Sequence, residues 1–183
     1  LYLLFLFWEG TSLLSFLLVG FHNDLEKSRK NASQALLVTM AGGASLLAGF
    51  VILHGSLGTS SLSAILSSQP DSIPTAAVIL IMAGAMTKSA QWPFHFWLPN
   101  AMVGPTPVSA YLHSATMVKA GVFLMGTLAP VLSAHPYWTP VLTTSGLLTV
   151  ICSLMRGLRA TDLKTLLACT TLAALGFLTI LAG

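Results

Sequence analysis

The segment MAGAMTKSAQWPFHFWLPNAM, residues 82–102, decides how the chain folds. Its first half is apolar and suited to a membrane helix, yet it contains the charged residue Lys88, and a proline follows five residues later. Pro93 has no N–H group, so the carbonyl of Ser89 loses its helical partner. We therefore predict a discontinuous helix that breaks around residues 89–92, directly after Lys88, where protein groups or water must satisfy the free carbonyls.

The composition of the chain places it in a membrane. Of the 183 residues, 55% are hydrophobic and 7% are charged, and the mean hydropathy is +0.83. A soluble domain has about a quarter charged residues, so this charged fraction is too small to cover a soluble surface. We predict an all-α fold, a polytopic bundle of transmembrane helices. It forms a single domain over residues 1–183, expected to be a piece of a larger subunit.

Six apolar stretches of the length needed to cross a bilayer follow one another along the chain. They lie near 1–21, 34–54, 74–102, 107–130, 138–155 and 164–182. The stretch 74–102 would extend roughly 43 Å as a straight helix, which exceeds the hydrocarbon core and supports a break within it. The Ser-rich segment 60–67 is expected to form a short interfacial helix.

Basic residues are concentrated in two predicted loops, 22–33 and 156–164, which hold six of the eight Lys and Arg residues. The connections on the opposite side of the membrane hold none. Positively charged loops favour the cytoplasmic side, so we expect both loops in the cytoplasm of a multi-pass protein of the plasma membrane, surrounded by the lipid bilayer. These short loops do not form one extended basic face, which argues against a nucleic-acid partner.

Three ionisable residues besides histidine fall inside the predicted spans: Glu9, Lys88 and Lys119. Each lies about a dozen residues from a membrane boundary, which is near the bilayer midplane. A charge at this depth costs roughly 2.5–3.5 kcal/mol on insertion scales. One interpretation is a structural ion pair between Glu9 and one lysine. That pair leaves the second lysine without a partner, and intramembrane chains of such groups mark proton or ion pathways.

Polar residues also follow the break. Pro107 is typical of the first turn of a new helix, and His113 and Thr116 come before Lys119. His113 is a candidate to relay protons between the two lysines, because an unperturbed imidazole titrates near neutrality. The alternative is a histidine bonded to a backbone carbonyl.

His95, just past the break, and Thr116 are secondary candidates for the proton path. A bis-histidine haem site built from His54, His95 or His113 is a further interpretation, but no spacing among them singles out a pair. Cys152 and Cys169 have no metal-binding or redox spacing. We expect no cofactor and no bound metal.

Two long motifs point to a family. The run TKSAQWPFHFWLPNAM (87–102), continued by PTPVSAYLHSATMVKAG (105–121), closely resembles the antiporter-like membrane subunits shared by Mrp-type sodium/proton antiporters and respiratory complex I. FWEGTSLLSFLLVGF (7–21) and TDLKTLLA (161–168) match two further motifs of that family. The chain is most similar to the large A subunits of Mrp antiporters, and would correspond to their fifth to tenth helices.

The resemblance implies a role for each central charge. Glu9 resembles the fifth-helix glutamate that pairs with a lysine, and Lys88 resembles the lysine of the broken seventh helix. His113 and Lys119 resemble the eighth-helix relay. The implied function is that of a secondary transporter subunit rather than an enzyme. It would move H⁺ and Na⁺, with other membrane subunits of the same complex as partners and no soluble small-molecule substrate.

Two other functions remain open on the sequence. The first is a proton-pumping membrane subunit of an NADH:quinone oxidoreductase, which would use the same charges but depend on electron transfer in other subunits. The second is a structural membrane subunit whose charges no longer have a function.

Overall fold

The chain is all-helical in the parts that the structure describes. The computed structural model describes residues 1–67 and 73–183, with the side chains of residues 113–115 excepted. In chain order its α-helices are α1 (Tyr2–Val19), α2 (Glu26–Leu57), α3 (Leu62–Ser67), α4 (Thr75–Lys88), α5 (Trp97–Asn100), α6 (Thr106–Ser109), α7 (Lys119–Leu132), α8 (Trp138–Gly157) and α9 (Leu163–Ala182).

Four of these helices, α1, α2, α8 and α9, are long and apolar enough to cross a membrane. Two more, α4 and α7, are apolar but have 14 residues each, or about 21 Å of helix. Each of the two belongs to a longer predicted span that is interrupted. The predicted transmembrane helix bundle is confirmed, with four continuous helices and two broken ones in the described part of the chain.

The predicted span 74–102 breaks where the sequence indicates. The helix α4 ends at Lys88, and the next helical turn is a 3₁₀ turn at Phe94–Phe96. The short helix α5 and a second 3₁₀ turn, Ala101–Val103, complete the segment.

The predicted span 107–130 is also interrupted, which the sequence did not indicate. It begins at α6 with Pro107 in the first turn, as predicted, and passes into a π-helix over Ala110–Thr116. Regular α-helix resumes at Lys119. Such π-helical turns are rare inside α-helices and are frequent at functional sites.

The first basic loop is shorter than predicted. The helix α2 begins at Glu26, so most of the predicted loop 22–33 is helical and its basic residues lie in the first turns of α2. An acidic residue in the first turn suits the helix dipole, and α2 with 32 residues, about 48 Å long, extends beyond the hydrocarbon core. The second basic segment, 156–164, contains the end of α8, a short connection and the start of α9. The short helix predicted near 60–67 is α3.

Bare glycine surfaces allow the helices to pack closely. A Cβ on Gly84 of α4 would lie 2.6 Å from Cβ of Leu46 in α2, and a Cβ on Gly49 would lie 2.7 Å from the Ile81 side chain. The pair α8 and α9 meets in the same way, since a Cβ on Gly146 would lie 2.6 Å from the carbonyl oxygen of Gly176. Close approach of backbones through small residues is typical of membrane helices. It brings α1, α2 and α4 together around Lys88.

Candidate functional site

The ammonium group of Lys88 is held entirely inside the protein. Its side chain is 0% exposed, and Nζ donates hydrogen bonds to the carbonyl oxygen of Trp8 and to Oγ of Ser12, both at 2.7 Å. Nζ also lies 5.3 Å from the centroid of the Trp8 ring, within the range of a cation–π contact. Charge-assisted bonds of this kind offset part of the cost of taking an ammonium group out of water.

The helix α1 provides both acceptors because they share one face. Trp8 and Ser12 are four residues apart, so they are neighbours on the helix surface. The Ser12 hydroxyl also donates to the Trp8 carbonyl at 3.3 Å. The Thr11 hydroxyl donates to the same carbonyl at 2.8 Å, so Lys88 shares this acceptor with two hydroxyl groups of α1.

Glu9 lies beside this lysine without a direct salt bridge to it. The side chain is half-buried, and its Oε1 is buried with no hydrogen-bond partner among the described residues. The carboxylate packs on the bare backbone of Gly43 in α2, at the place where any larger residue would put its Cβ. Glu9 nevertheless directly follows Trp8, whose carbonyl binds Nζ of Lys88. The two predicted partners are therefore adjacent, but no ion pair fixes them together in the described structure.

Protein groups bond the backbone at the break after Lys88, although Oε1 of Gln91 is buried there with no hydrogen-bond partner among the described residues. The carbonyl of Ser89, which Pro93 deprives of a helical partner, accepts a bond from Nε2 of Gln91 at 3.1 Å. The N–H of Gln91 donates to the carbonyl of Met86 at 2.9 Å. Gln91 is 0% exposed and thus replaces, from within the break, the bond that the proline removes.

Two contacts from outside the break secure it further. The N–H of Trp92 donates to Oγ1 of Thr149 in α8 at 2.7 Å, and Nε1 of Trp97 donates to the carbonyl of Thr87 at 3.0 Å. Ala90 has φ of 48°, a left-handed conformation that is uncommon for a residue with a side chain. A buried, non-glycine residue in this conformation indicates that the surrounding contacts determine the course of the break.

Ser89 connects the break to α7. Its Oγ donates to the carbonyl of Val118 at 2.6 Å and accepts from the N–H of Val122 at 2.9 Å. The end of α4 and the start of α7 are thus joined through one buried hydroxyl group.

The structure does not bring the remaining candidates into this cluster. Lys119 is the first residue of α7, and its side chain is exposed on the surface of the folded chain. Thr116 is exposed and donates to the carbonyl of Tyr111 in its own π-helix at 3.0 Å. His95 lies in the 3₁₀ turn past the break, half-buried and next to the backbone of Pro93.

The prediction for His113 falls on a side chain outside the described part of the structure, although its backbone lies in the π-helix. Among the side chains that the structure does describe, no group of three or more His, Cys, Asp or Glu residues could hold a metal ion.

Sequence reasoning missed four contributors to the site: Trp8, Ser12, Gly43 and Gln91. The spacing of Trp8 and Ser12 placed them one turn apart, next to Glu9, and this was a usable signal. The role of Gly43 depends on how α2 packs against α1, which no local pattern reveals.

Comparison with known proteins identifies the family. A family profile described as NADH:quinone oxidoreductase/Mrp antiporter, TM, matches residues 1–183. The chain belongs to this family. It is 44% identical over 188 residues to the Na(+)/H(+) antiporter A subunit of Bacillus subtilis (strain 168), a match over 98% of this chain and 23% of that protein. It is 45% identical over 186 residues to the probable K(+)/H(+) antiporter A/B subunit of Rhizobium meliloti (strain 1021), covering 99% of this chain and 18% of the relative.

A solved structure agrees with the fold. A chain of the Mrp complex from Dietzia sp. DQ12-45-1b superimposes with a TM-score of 0.91 and 41% identity, covering 97% of this chain and 20% of that chain. The chain thus spans less than a quarter of the length of these relatives. The predicted resemblance to the antiporter-like family is confirmed.

Proposed function

We propose that this chain is the proton-translocating part of a subunit in a multisubunit Na⁺/H⁺ antiporter. Protons would pass through a mid-membrane relay of Glu9, Lys88, His113 and Lys119. The observation that carries the proposal is the environment of Lys88, a fully buried amine at the end of a broken membrane helix, bonded to a carbonyl and a hydroxyl of α1.

The bonds of Lys88 are compatible with both protonation states. An ammonium group has three donors and no acceptor, and it donates here to Trp8 and Ser12. A neutral amine has two N–H donors and one lone pair. It can keep its bond to the Trp8 carbonyl while the Ser12 hydroxyl, which can donate or accept, turns to donate to the amine. Loss of the proton therefore need not break the contact of the Lys88 amine with either the Trp8 carbonyl or the Ser12 hydroxyl.

Glu9 would act on this lysine through space. A carboxylate near an amine favours the ammonium form, and a direct salt bridge would also hold the amine in one place. The absence of such a bridge in the described residues, together with the position of Glu9 directly after Trp8, whose carbonyl binds Lys88, supports a tuning role for Glu9 over the alternative of a structural ion pair.

The names of the relatives suggest the complex and the membrane in which this activity takes place. By their names, they are subunits of antiporters for sodium or potassium in bacteria, and the similar solved chain comes from a multisubunit Mrp complex. We propose other membrane subunits of such a complex as partners and the bacterial plasma membrane as the location. The basic segments 22–33 and 156–164 would face the cytoplasm.

A second candidate is a proton-pumping subunit of an NADH:quinone oxidoreductase, because the matching family covers both types of complex. Purification of the native complex separates them. Several small membrane subunits favour the antiporter, whereas flavin and iron–sulfur protein favour the oxidoreductase.

Lys88→Ala tests the proposed function. The variant is made in the full-length subunit, assembled with its complex in membrane vesicles, and sodium-driven collapse of a proton gradient is measured. Lys27→Ala, which removes an exposed lysine at the start of α2, is the matched control. We expect loss of exchange in Lys88→Ala and normal exchange in Lys27→Ala, at equal amounts of assembled complex. Normal exchange in both would refute the proposal.

A further inference from the structure

The hydroxyl group of Ser89 joins two interrupted helices. Ser89 directly follows Lys88, is 0% exposed, and caps the end of α4. Its Oγ donates to the Val118 carbonyl at 2.6 Å and accepts from the Val122 N–H at 2.9 Å. In an α-helix, a carbonyl and the N–H four residues later close one turn, so the hydroxyl binds both members of the pair that closes the first turn of α7.

This contact lies between two of the proposed proton carriers. Val118 directly precedes Lys119, the first residue of α7. The bond from Ser89 to Val118 therefore links the residue after one lysine to the residue before the other. Both partners of the hydroxyl are backbone atoms. The bonds therefore hold the backbone of the helix ends in place, and not only side chains.

A glycine makes the contact possible. A Cβ on Gly121 would collide with both the Ala85 carbonyl oxygen and Oγ of Ser89. The bare surface of Gly121 thus lets α7 approach α4 closely enough for the hydroxyl to reach the first turn. The close approach of α7 to α4 and the buried hydrogen bonds of Ser89 therefore occur at the same helix contact.

We infer that Ser89 is a positioning residue that sets the helix end carrying Lys88 against the helix start carrying Lys119. This inference rests on the proposed function. Ser89 does not carry protons itself, because both partners of its hydroxyl are backbone amide groups, which neither supply nor take up a transported proton. It holds the two carriers at a fixed separation, so its loss slows transfer between them without changing how the transported cation binds.

The first test is structural and needs no transport. Amide hydrogen exchange is measured by mass spectrometry on the complex containing wild-type subunit or Ser89→Ala. Without the hydroxyl, the amides in the first turn of α7, residues 119–122, should exchange about two- to tenfold faster, the factor expected for one lost hydrogen bond. The last turn of α7 should be unchanged. Equal exchange of the first turn in both proteins would overturn the inference.

The second test separates positioning from a general structural defect. In vesicles, Ser89→Ala should lower the maximal rate of exchange while the half-saturating sodium concentration stays the same. The matched control is Ser145→Ala, because Ser145 is also buried but donates only within its own helix, to the Leu142 carbonyl. A wild-type maximal rate in Ser89→Ala, or an equal loss in Ser145→Ala, would overturn the inference.

Two further variants, Ser89→Cys and Lys88→Ala, complete the test. Ser89→Cys keeps the side chain small and supplies a weak donor, so it should show the same two changes to a smaller degree even if Ser89→Ala does not assemble. A Cys variant with wild-type exchange and rate would overturn the inference. Lys88→Ala is measured in parallel. If Lys88→Ala transports normally, the proposed function fails. If Lys88→Ala is inactive and Ser89→Ala is fully active, only the positioning role of Ser89 is refuted.

Discussion

The ammonium group of Lys88, at the end of α4, is bonded to the carbonyl oxygen of Trp8, in the middle of α1, at a distance of 2.7 Å. The contact joins residues 80 positions apart in the chain and places the amine beside Glu9, the residue after Trp8. A charge that would be costly at this depth thus gains acceptors from a neighbouring helix.

Glu9→Gln should move the pH optimum of transport towards acid. The substitution removes a negative charge that stabilises the ammonium form, so the same degree of protonation requires more protons in solution. The pH profile of sodium-driven proton exchange in vesicles measures this shift. An unchanged profile in a fully assembled variant would show that Glu9 does not act on a titrating group.

Gly43→Ala should impair transport although Gly43 has no side chain that could bind a proton. Its Cβ would occupy the place of Oε1 of Glu9, so the carboxylate must move away from its position near Lys88. The matched control is Gly55→Ala on the same helix, since a Cβ there meets nothing within 4 Å. We expect a reduced rate and an altered pH profile for position 43 alone. Equal behaviour of the two variants would contradict the placement of Glu9 against α2.

Gly121→Ala should destabilise the contact between α4 and α7. The added Cβ would collide with the Ala85 carbonyl, a backbone atom that cannot turn aside, and overpacking of this kind costs about 1–3 kcal/mol. Gly126→Ala is the control on the same helix, because nothing lies within 4 Å of its Cβ and alanine favours helix by about 0.8–1 kcal/mol. Thermal inactivation of the assembled complex should begin at a lower temperature in Gly121→Ala only.

Gln91→Ala should weaken the break itself. It removes the amide that bonds the Ser89 carbonyl and leaves a buried acceptor without a partner, at a cost of about 1–3 kcal/mol. The temperature at which the complex loses activity is expected to fall. If stability is unaffected, the Ser89 carbonyl has another way to be satisfied, and the role assigned to Gln91 is wrong.

Much of the fold follows from local sequence patterns. Hydropathy located the long helices, and Pro93 located the break to within a few residues, because a missing N–H is a property of one residue. Local patterns do not predict the extension of α2 back to Glu26, because charged residues suit both a loop and the exposed end of a long helix. The π-helix before Lys119 has no comparable local cause in the sequence.

The candidate site was predictable only in part. Glu9 and Lys88 stand out because charges are rare in apolar spans, and the structure places them side by side. Ser12, Gly43 and Ser89 are ordinary residues for a membrane helix, and their importance comes from contacts between helices distant in the chain. The roles of His113 and Lys119 remain predictions of the resemblance.

The central claim, that Lys88 releases and rebinds a proton, is tested most directly by Lys88→Arg beside Lys88→Ala. Arginine keeps the positive charge and can still donate to the Trp8 carbonyl, but a guanidinium group does not lose its proton in proteins. Sodium-driven collapse of a proton gradient is measured in vesicles with equal amounts of assembled complex. The account predicts that Arg fails almost as completely as Ala. Near-normal exchange by Lys88→Arg would contradict it and leave Lys88 with a structural role.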